Sequence, residues 1–321
     1  LAVAAAAFVL AACSLAPAYR PPALAVPAGY KEPAPWTDAR PSDQLPRGRW
    51  WDVYRSPALS ALELRLDASN PDLAAALAHY EQARAFDVEA RSQLFPVFGG
   101  IVDTMRDRQS DTRPLRGSNE PNEYNSETVG VQASYDLDLW GKIRNQVRAS
   151  HAQTQAAAAD LASAQLSLEA RLADDYVALL GVDREIKLLL DTAGSYQSAL
   201  AMTQTLHDGG VVSGLDVSRA QAQLDNTRAQ VSESRAQRAL LEHAIATLVG
   251  AAPAEFSLAA EAVPMALPQV PAGIPSTLLQ RRPDIAAAER RAAAANASIG
   301  VARAAFFPDV SLTGMIGLQS M

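Results

Sequence analysis

The stretch YNSETVGVQASYDLDLWGK, residues 124–142, decides the fold. In it Val129, Val131, Ala133, Tyr135, Leu137 and Leu139 alternate with Thr128, Gly130, Gln132, Ser134, Asp136 and Asp138. Alternation sustained from 128 to 139 predicts a strand with one apolar and one polar face. Its expected hairpin partner is 97–110, across a polar loop holding Asp111, Gly117, Asn119, Glu120 and Pro121. That partner is less regular, because Ile101 and Val102 are adjacent. Two environments suit such a strand. It can border a soluble sheet, or it can span a membrane, which takes ~9–11 residues of apolar-out, polar-in alternation. Periodicity alone leaves both open.

Outward from the strand the period changes. No proline occurs between 122 and 252. Stepping by heptads from Leu161 meets Gln165, Leu168, Leu172, Asp175, Leu179, Val182, Ile186, Leu189, Ala193, Tyr196 and Leu200. Such a seam predicts a coiled-coil helix over 141–206, ~98 Å long at 1.5 Å per residue. A second seam, Val217, Ala220, Leu224, Thr227, Val231, Ser234, Arg238, Leu241, Ile245 and Leu248, predicts a partner over 215–249. Between them Gly209, Gly210, Val211, Val212, Ser213 and Gly214 predict a tight turn joining two antiparallel helices. On the other side of the hairpin a helix is expected over 58–95, with Asn70 and Pro71 marking a helix start inside it and Pro96 its limit.

Composition fits helices packed closely. Of the 321 residues 65 are alanine, whereas aromatics make up 6%. A net charge of −7 argues against a nucleic-acid partner. One cysteine excludes a disulfide framework. His79, His151, His207 and His243 show no helical metal-pair spacing, and the glycine-rich turn lacks the strand before and the Lys-Ser/Thr after that a phosphate loop requires. Neither an enzyme nor a cofactor is expected. Asp136 and Asp138 fall on the polar face of the strand, where a water-filled lumen would account for them.

The N-terminal stretch LAVAAAAFVLAA, 1–12, reads as the remnant of a signal peptide. The run Leu10-Ala11-Ala12-Cys13 resembles a bacterial lipoprotein processing box, which makes Cys13 the expected site of lipid attachment; a buried free thiol is the plainer alternative. Ser14, rather than Asp, favours the outer membrane in lipoproteins of that kind. Nine prolines between 17 and 57 predict an extended arm over 13–57, and Trp36, Trp50 and Trp51 suggest that it docks.

Asn70-Pro71-Asp72-Leu73 returns as Arg282-Pro283-Asp284-Ile285, and Phe95-Pro96 as Phe307-Pro308, both 212 positions later. The two stretches align from 70 to 96 without a gap, with 11 identities in 27 positions. This predicts a duplication: a first repeat over 58–252, a proline-rich linker over 253–281, and a second repeat opening at 282 that is truncated at 321. Equal halves would require roughly 140 further residues.

Tyr135-Asp136-Leu137-Asp138-Leu139-Trp140-Gly141-Lys142, the turn 209–217, Asn70-Pro71-Asp72-Leu73 and Arg281-Arg282-Pro283-Asp284-Ile285 together resemble the TolC-like outer-membrane factors, in the lipoprotein branch that serves tripartite multidrug efflux pumps. The resemblance implies a mixed α+β membrane fold. Long antiparallel coiled-coil helices would form a periplasmic α-barrel, and a homotrimer would share one 12-stranded outer-membrane β-barrel. Two hairpins per chain give four strands, and membrane barrels begin at eight, so oligomerisation is required. Val129, Val131, Ala133, Tyr135, Leu137 and Leu139 would then face outer-membrane lipid. Gly209, Gly210, Val211, Val212 and Gly214 would form the tip where a periplasmic adaptor docks, with an inner-membrane pump beyond it. From residue types alone the tip is an ordinary helix-hairpin turn. The main rival is a periplasmic lipid-anchored coiled-coil adaptor, which would flank one hairpin with β-rich domains and not repeat a helix-to-strand junction 212 residues apart. A lipid-anchored structural coiled coil, the second rival, has no need of the strand at 128–139.

Overall fold

The computed structural model describes residues 14–21, 48–110, 112, 121–261 and 281–320. Helices α1 (Pro57–Ser69) and α2 (Pro71–Ser92) lead into strands β1 (Val97–Arg108) and β2 (Glu123–Leu137). Then come α3 (Lys142–Asp208), α4 (Gly214–Leu248), α5 (Pro283–Ala304) and β3 (Val310–Ser320), with 3-10 turns at Trp50–Tyr54 and Pro253–Glu255. The chain divides into two compact units. One holds 80–158 and 285–321 with the start of the chain; the other holds 26–79 and 159–284.

In the second of these units the core lies where α1 meets α3 and α4. Leu59, Leu66, Leu172, Leu179, Ile245 and Val249 are fully buried there, joined by Trp51 and Tyr176. Each such aliphatic side chain contributes about 1.5–3 kcal/mol by leaving water. The heptad seams are followed closely. No seam position from Leu161 to Leu200, nor from Val217 to Leu248, is exposed. Two polar seam residues find partners: Thr227 Oγ1 donates to the Gln223 carbonyl one turn back at 3.0 Å, and Arg238 Nε to Asp183 Oδ1 of α3 at 2.6 Å, whereas Asp175 Oδ2 is buried without one. Arg238 also donates to Glu242 and to the Leu258 carbonyl, while Glu242 accepts the Leu258 amide at 2.6 Å. The stretch entering the proline-rich linker is thereby bound to the helical pair. Most of the linker, 262–280, lies outside the described residues.

The single helix expected over 58–95 is two helices, and it ends at Ser92. Asn70 adopts an extended ψ of 124° that ends α1. Its Oδ1 accepts the Leu73 amide at 2.9 Å, which caps α2, while Nδ2 donates to the Leu248 carbonyl at 2.8 Å. One side chain thus starts a helix and ties the break to the end of α4. Gly250 sits there at φ +64°, and a Cβ on it would collide with the Ser69 backbone. The arm's tryptophans do dock: Trp51 is in the core and Trp50 Nε1 donates to Glu169 Oε2 at 2.8 Å. Trp36 lies outside the described residues.

In the other unit small residues allow close helix approach. Ala149, Ala152 and Ala156 are buried on α3, and Ala287, Ala294, Ala297 and Ala304 on α5. Thr154 Oγ1 donates to the Ala83 carbonyl of α2 at 2.9 Å, and Asp87 pairs with Arg91 at 2.8 Å.

Candidate functional site

Two features stand apart from these cores: the sheet and the turn between α3 and α4. The sheet has order β1-β2-β3 with both pairings antiparallel. Residues paired directly across strands point to the same face. Val129 therefore lies in a row with Val102 and Leu318, Val131 with Ile316, Ala133 with Phe98, Tyr135 with Leu312, and Leu137 with Val310. From the Val129 row to the Leu137 row this face carries only apolar residues and glycine, and it turns polar beyond, at Glu127, Arg106 and Glu123. Val102 is 81% exposed, Ile316 79% and Leu318 84%, so the described residues leave it uncovered.

The opposite face carries Asp103, Thr128 and Gln319 in one row, Ser134 and Thr313 in another, and Asp136 beside Ser311. The adjacent pair that blurred β1 is resolved by register. Val102 belongs to the apolar face, and Ile101 points the other way, opposite Gly130. Gly130 also faces Gly317, and a Cβ on Gly317 would stand 2.6 Å from the Val129 carbonyl oxygen. Only glycine fits that crossing.

β2 stops at Leu137, two residues short of the predicted alternation, so Leu139 lies in the bend after the strand rather than on its apolar face. Asp138 is not a lumen residue of the strand either. Its carboxylate accepts the Ile143 and Arg144 amides at 3.0 and 2.9 Å and the Arg144 guanidinium at 3.0 Å, which caps the start of α3. Asp136 keeps its place on the polar face. At the same end of the sheet Trp140 stacks on Phe307 with ring centroids 4.7 Å apart, and its Nε1 donates to the Pro308 carbonyl at 3.0 Å. Lys142 pairs with Asp309 at 2.9 Å, which holds the ammonium above its ordinary pKa. These contacts bind the end of β2 to the beginning of β3.

At the turn, α3 closes with a glycine in the left-handed region. Gly210 has φ +70°, its amide donates to the His207 carbonyl at 2.8 Å, and the Val211 amide reaches back to Leu206 at 2.9 Å. His207 Nδ1 lies 3.0 Å from the Val212 carbonyl. Asp216 accepts the Ser213 hydroxyl at 2.6 Å and the Ser213 amide at 3.1 Å, bonds that hold its carboxyl below the usual range. Gly209, Gly210 and Gly214 are exposed, Val212 is half-buried and Val211 is 71% exposed. Leu215 and Met202 add apolar surface nearby, at 58% and 64% exposure. Their positions off the heptad seams are the only sequence signal that could have marked them. The sheet residues and the turn belong to different units, and Cys13 lies outside the described residues.

Among the described residues no group of three or more His, Cys, Asp or Glu side chains could hold a metal ion, and no helix is long and apolar enough to cross a membrane. A sheet that exposes one apolar face and one polar face can separate lipid from water, with no chemistry required of it.

Comparison with known proteins gives this arrangement its context. The family described as outer membrane efflux protein matches residues 56–251 and 274–321. The chain is 32% identical over 322 residues to the probable efflux pump outer membrane protein TtgC of Pseudomonas putida, covering all of this chain and 66% of that protein. It is 31% identical to the pyoverdine export outer membrane protein OpmQ of Pseudomonas aeruginosa, over 96% of this chain and 65% of the relative. The chain therefore spans a little under two thirds of the length of these relatives. Among solved structures, the outer-membrane channel OprN superposes with a TM-score of 0.80 at 35% identity, over 96% of this chain and 68% of that one. The Campylobacter jejuni CmeC outer membrane channel gives 0.82 at 26%, over 96% and 66%. With a family match over most of its residues and a fold shared with these channels, the chain belongs to the outer membrane efflux protein family.

Proposed function

We propose that the protein is the outer-membrane channel subunit of a tripartite efflux system, conducting drugs or other small molecules from the periplasmic side to the exterior. The observation that carries the reading is the two-faced sheet, apolar from Phe98 to Leu318 on one side and on the other mainly polar, with Val97, Ile101, Met105 and Met315 among its polar residues. Both outer edges of that sheet, on β1 and β3, are unpaired among the described residues, so its strands need neighbours. A homotrimer supplies them in a 12-stranded barrel, with the polar face toward the lumen. Val129, Val131, Ala133, Tyr135 and Leu137 then meet lipid. The long helices extend the conduit into the periplasm, and the second repeat provides the matching hairpin and helical pair.

The tip at Gly209, Gly210, Val211, Val212 and Gly214 is the docking point for a periplasmic adaptor, which links the channel to an inner-membrane pump. Exposed Val211 and bare glycine backbone support this role, since both allow close approach. An acyl chain on Cys13 adds a membrane anchor. A lipid-anchored adaptor is the weaker reading, because its hairpin would have no use for a sheet with an uncovered apolar face. The test is reconstitution of the full-length protein in planar bilayers. Trimers with stable single-channel conductance support the proposal, and a water-soluble monomer without conductance would overturn it.

A further inference from the structure

Residues 14–21 hold two prolines within an extended run, so they form no ladder or helix of their own. Their position comes from bonds to two helices. Ser14 Oγ donates to Asn145 Oδ1 at 2.9 Å, near the start of α3, and Arg148 Nη1 donates to Ser14 Oγ at 3.0 Å. Along α5, Arg303 Nη1 donates to the Leu15 carbonyl at 3.4 Å, and Asn296 Nδ2 to the Pro17 carbonyl at 2.8 Å. Tyr19 Oη donates to the Glu289 carbonyl at 3.1 Å. The order 303, 296, 289 against 15, 17, 19 means that the strap runs antiparallel to α5 over about four turns.

The crossing of strap, α3 and α5 is built around a missing side chain. A Cβ on Gly300 would stand 2.5 Å from Asn145 Nδ2 and 2.8 Å from Ala16 Cβ. Asn145 is fully buried, and its Nδ2 has no hydrogen-bond partner. A buried donor left unbonded is uncommon and calls for a cause. Here the Asn145 amide fills the space that Gly300 vacates while its oxygen receives Ser14.

We propose that residues 14–21 are an internal staple that seats α5 on α3 through these bonds and the Gly300 cradle, independently of any acyl group on Cys13. The strap touches α3 of the first repeat and α5 of the second, so its removal loosens the joint between them.

Hydrogen exchange on the full-length protein in detergent tests this. In N296A/R303A, whose side chains leave the helix surface without opening the core, amides of 15–20 and of α5 should exchange about tenfold faster. Gly300→Ala should act alike by steric clash, and Cys13→Ala should leave both segments protected. Continued protection of α5 once the strap is released would overturn the staple. So would loss of protection in Cys13→Ala. Failure of the channel reading is distinguishable, because it would abolish conductance and leave this exchange pattern intact.

Discussion

The sheet and the α1–α3–α4 core use the same aliphatic residues to opposite ends. In the core Leu172 is 0% exposed and Leu179 1%; on the sheet Ile316 is 79% exposed and Leu318 84%. What differs is the period. Heptad spacing places apolar side chains between helices of the same chain, whereas alternation spreads them over one face of a thin sheet. The core is thus stabilised by burial inside the chain, while the sheet keeps its apolar face exposed; in the proposed channel lipid covers it. Perturbations in the two regions should separate accordingly.

The largest effect is expected from Leu172→Ala. Its fully buried side chain would leave a cavity costing about 2–5 kcal/mol, read as a lower midpoint in thermal unfolding followed by circular dichroism at 222 nm. Val131→Arg should cost about 2–4 kcal/mol on transfer to the bilayer yet leave that midpoint in place. Poor recovery from outer-membrane fractions would be its sign. Equal recovery would mean that Val131 does not meet lipid.

Glu63 sharpens the contrast from the polar side. It lies fully buried beside the core, with neither carboxyl oxygen bonded. Burial, with Glu169 and then Asp67 adding negative charge, raises its pKa to about 8. An acid whose pKa is raised on folding holds its proton longer in the native state, so stability falls as pH climbs from the ordinary carboxyl range to about 8. Glu63→Gln should therefore stabilise the protein near pH 8, with the gain vanishing below about pH 4. A gain that is constant with pH would show that the carboxyl is not titrating.

The smallest structural effect is expected at the tip. Gly210→Ala puts a side chain at φ +70° and should cost about 1 kcal/mol. Trimer yield should be unchanged while efflux falls, provided the tip docks an adaptor. Full efflux in a drug-susceptibility assay would remove the docking role.

The residues most legible in the sequence are those whose signal repeats locally. Both heptad seams and the Gly209 and Gly210 turn lie where spacing placed them, and β2 alternates as read up to Leu137. Leu139 and Asp138 departed from that pattern because a helix start needs a carboxylate to receive its first amides, a demand that overrides alternation. The helix break at Asn70 was half legible. Asn-Pro announced a cap, and Pro71 disfavours helix at Asn70, but the bond that ties this break to the Leu248 carbonyl, 178 positions away, has no local signal.

Sequence by itself thus determined the periods, the helix and strand order and the face of β2 that is apolar, because these follow from the steric and solvation preferences of neighbouring residues. Only the tertiary structure decided that β3 completes the sheet against β2, that Glu63 is enclosed, and that residues 14–21 run along α5. Such pairings join positions more than a hundred residues apart. No local spacing encodes them; complementary shape and the need to satisfy buried polar groups select them as the chain closes on itself.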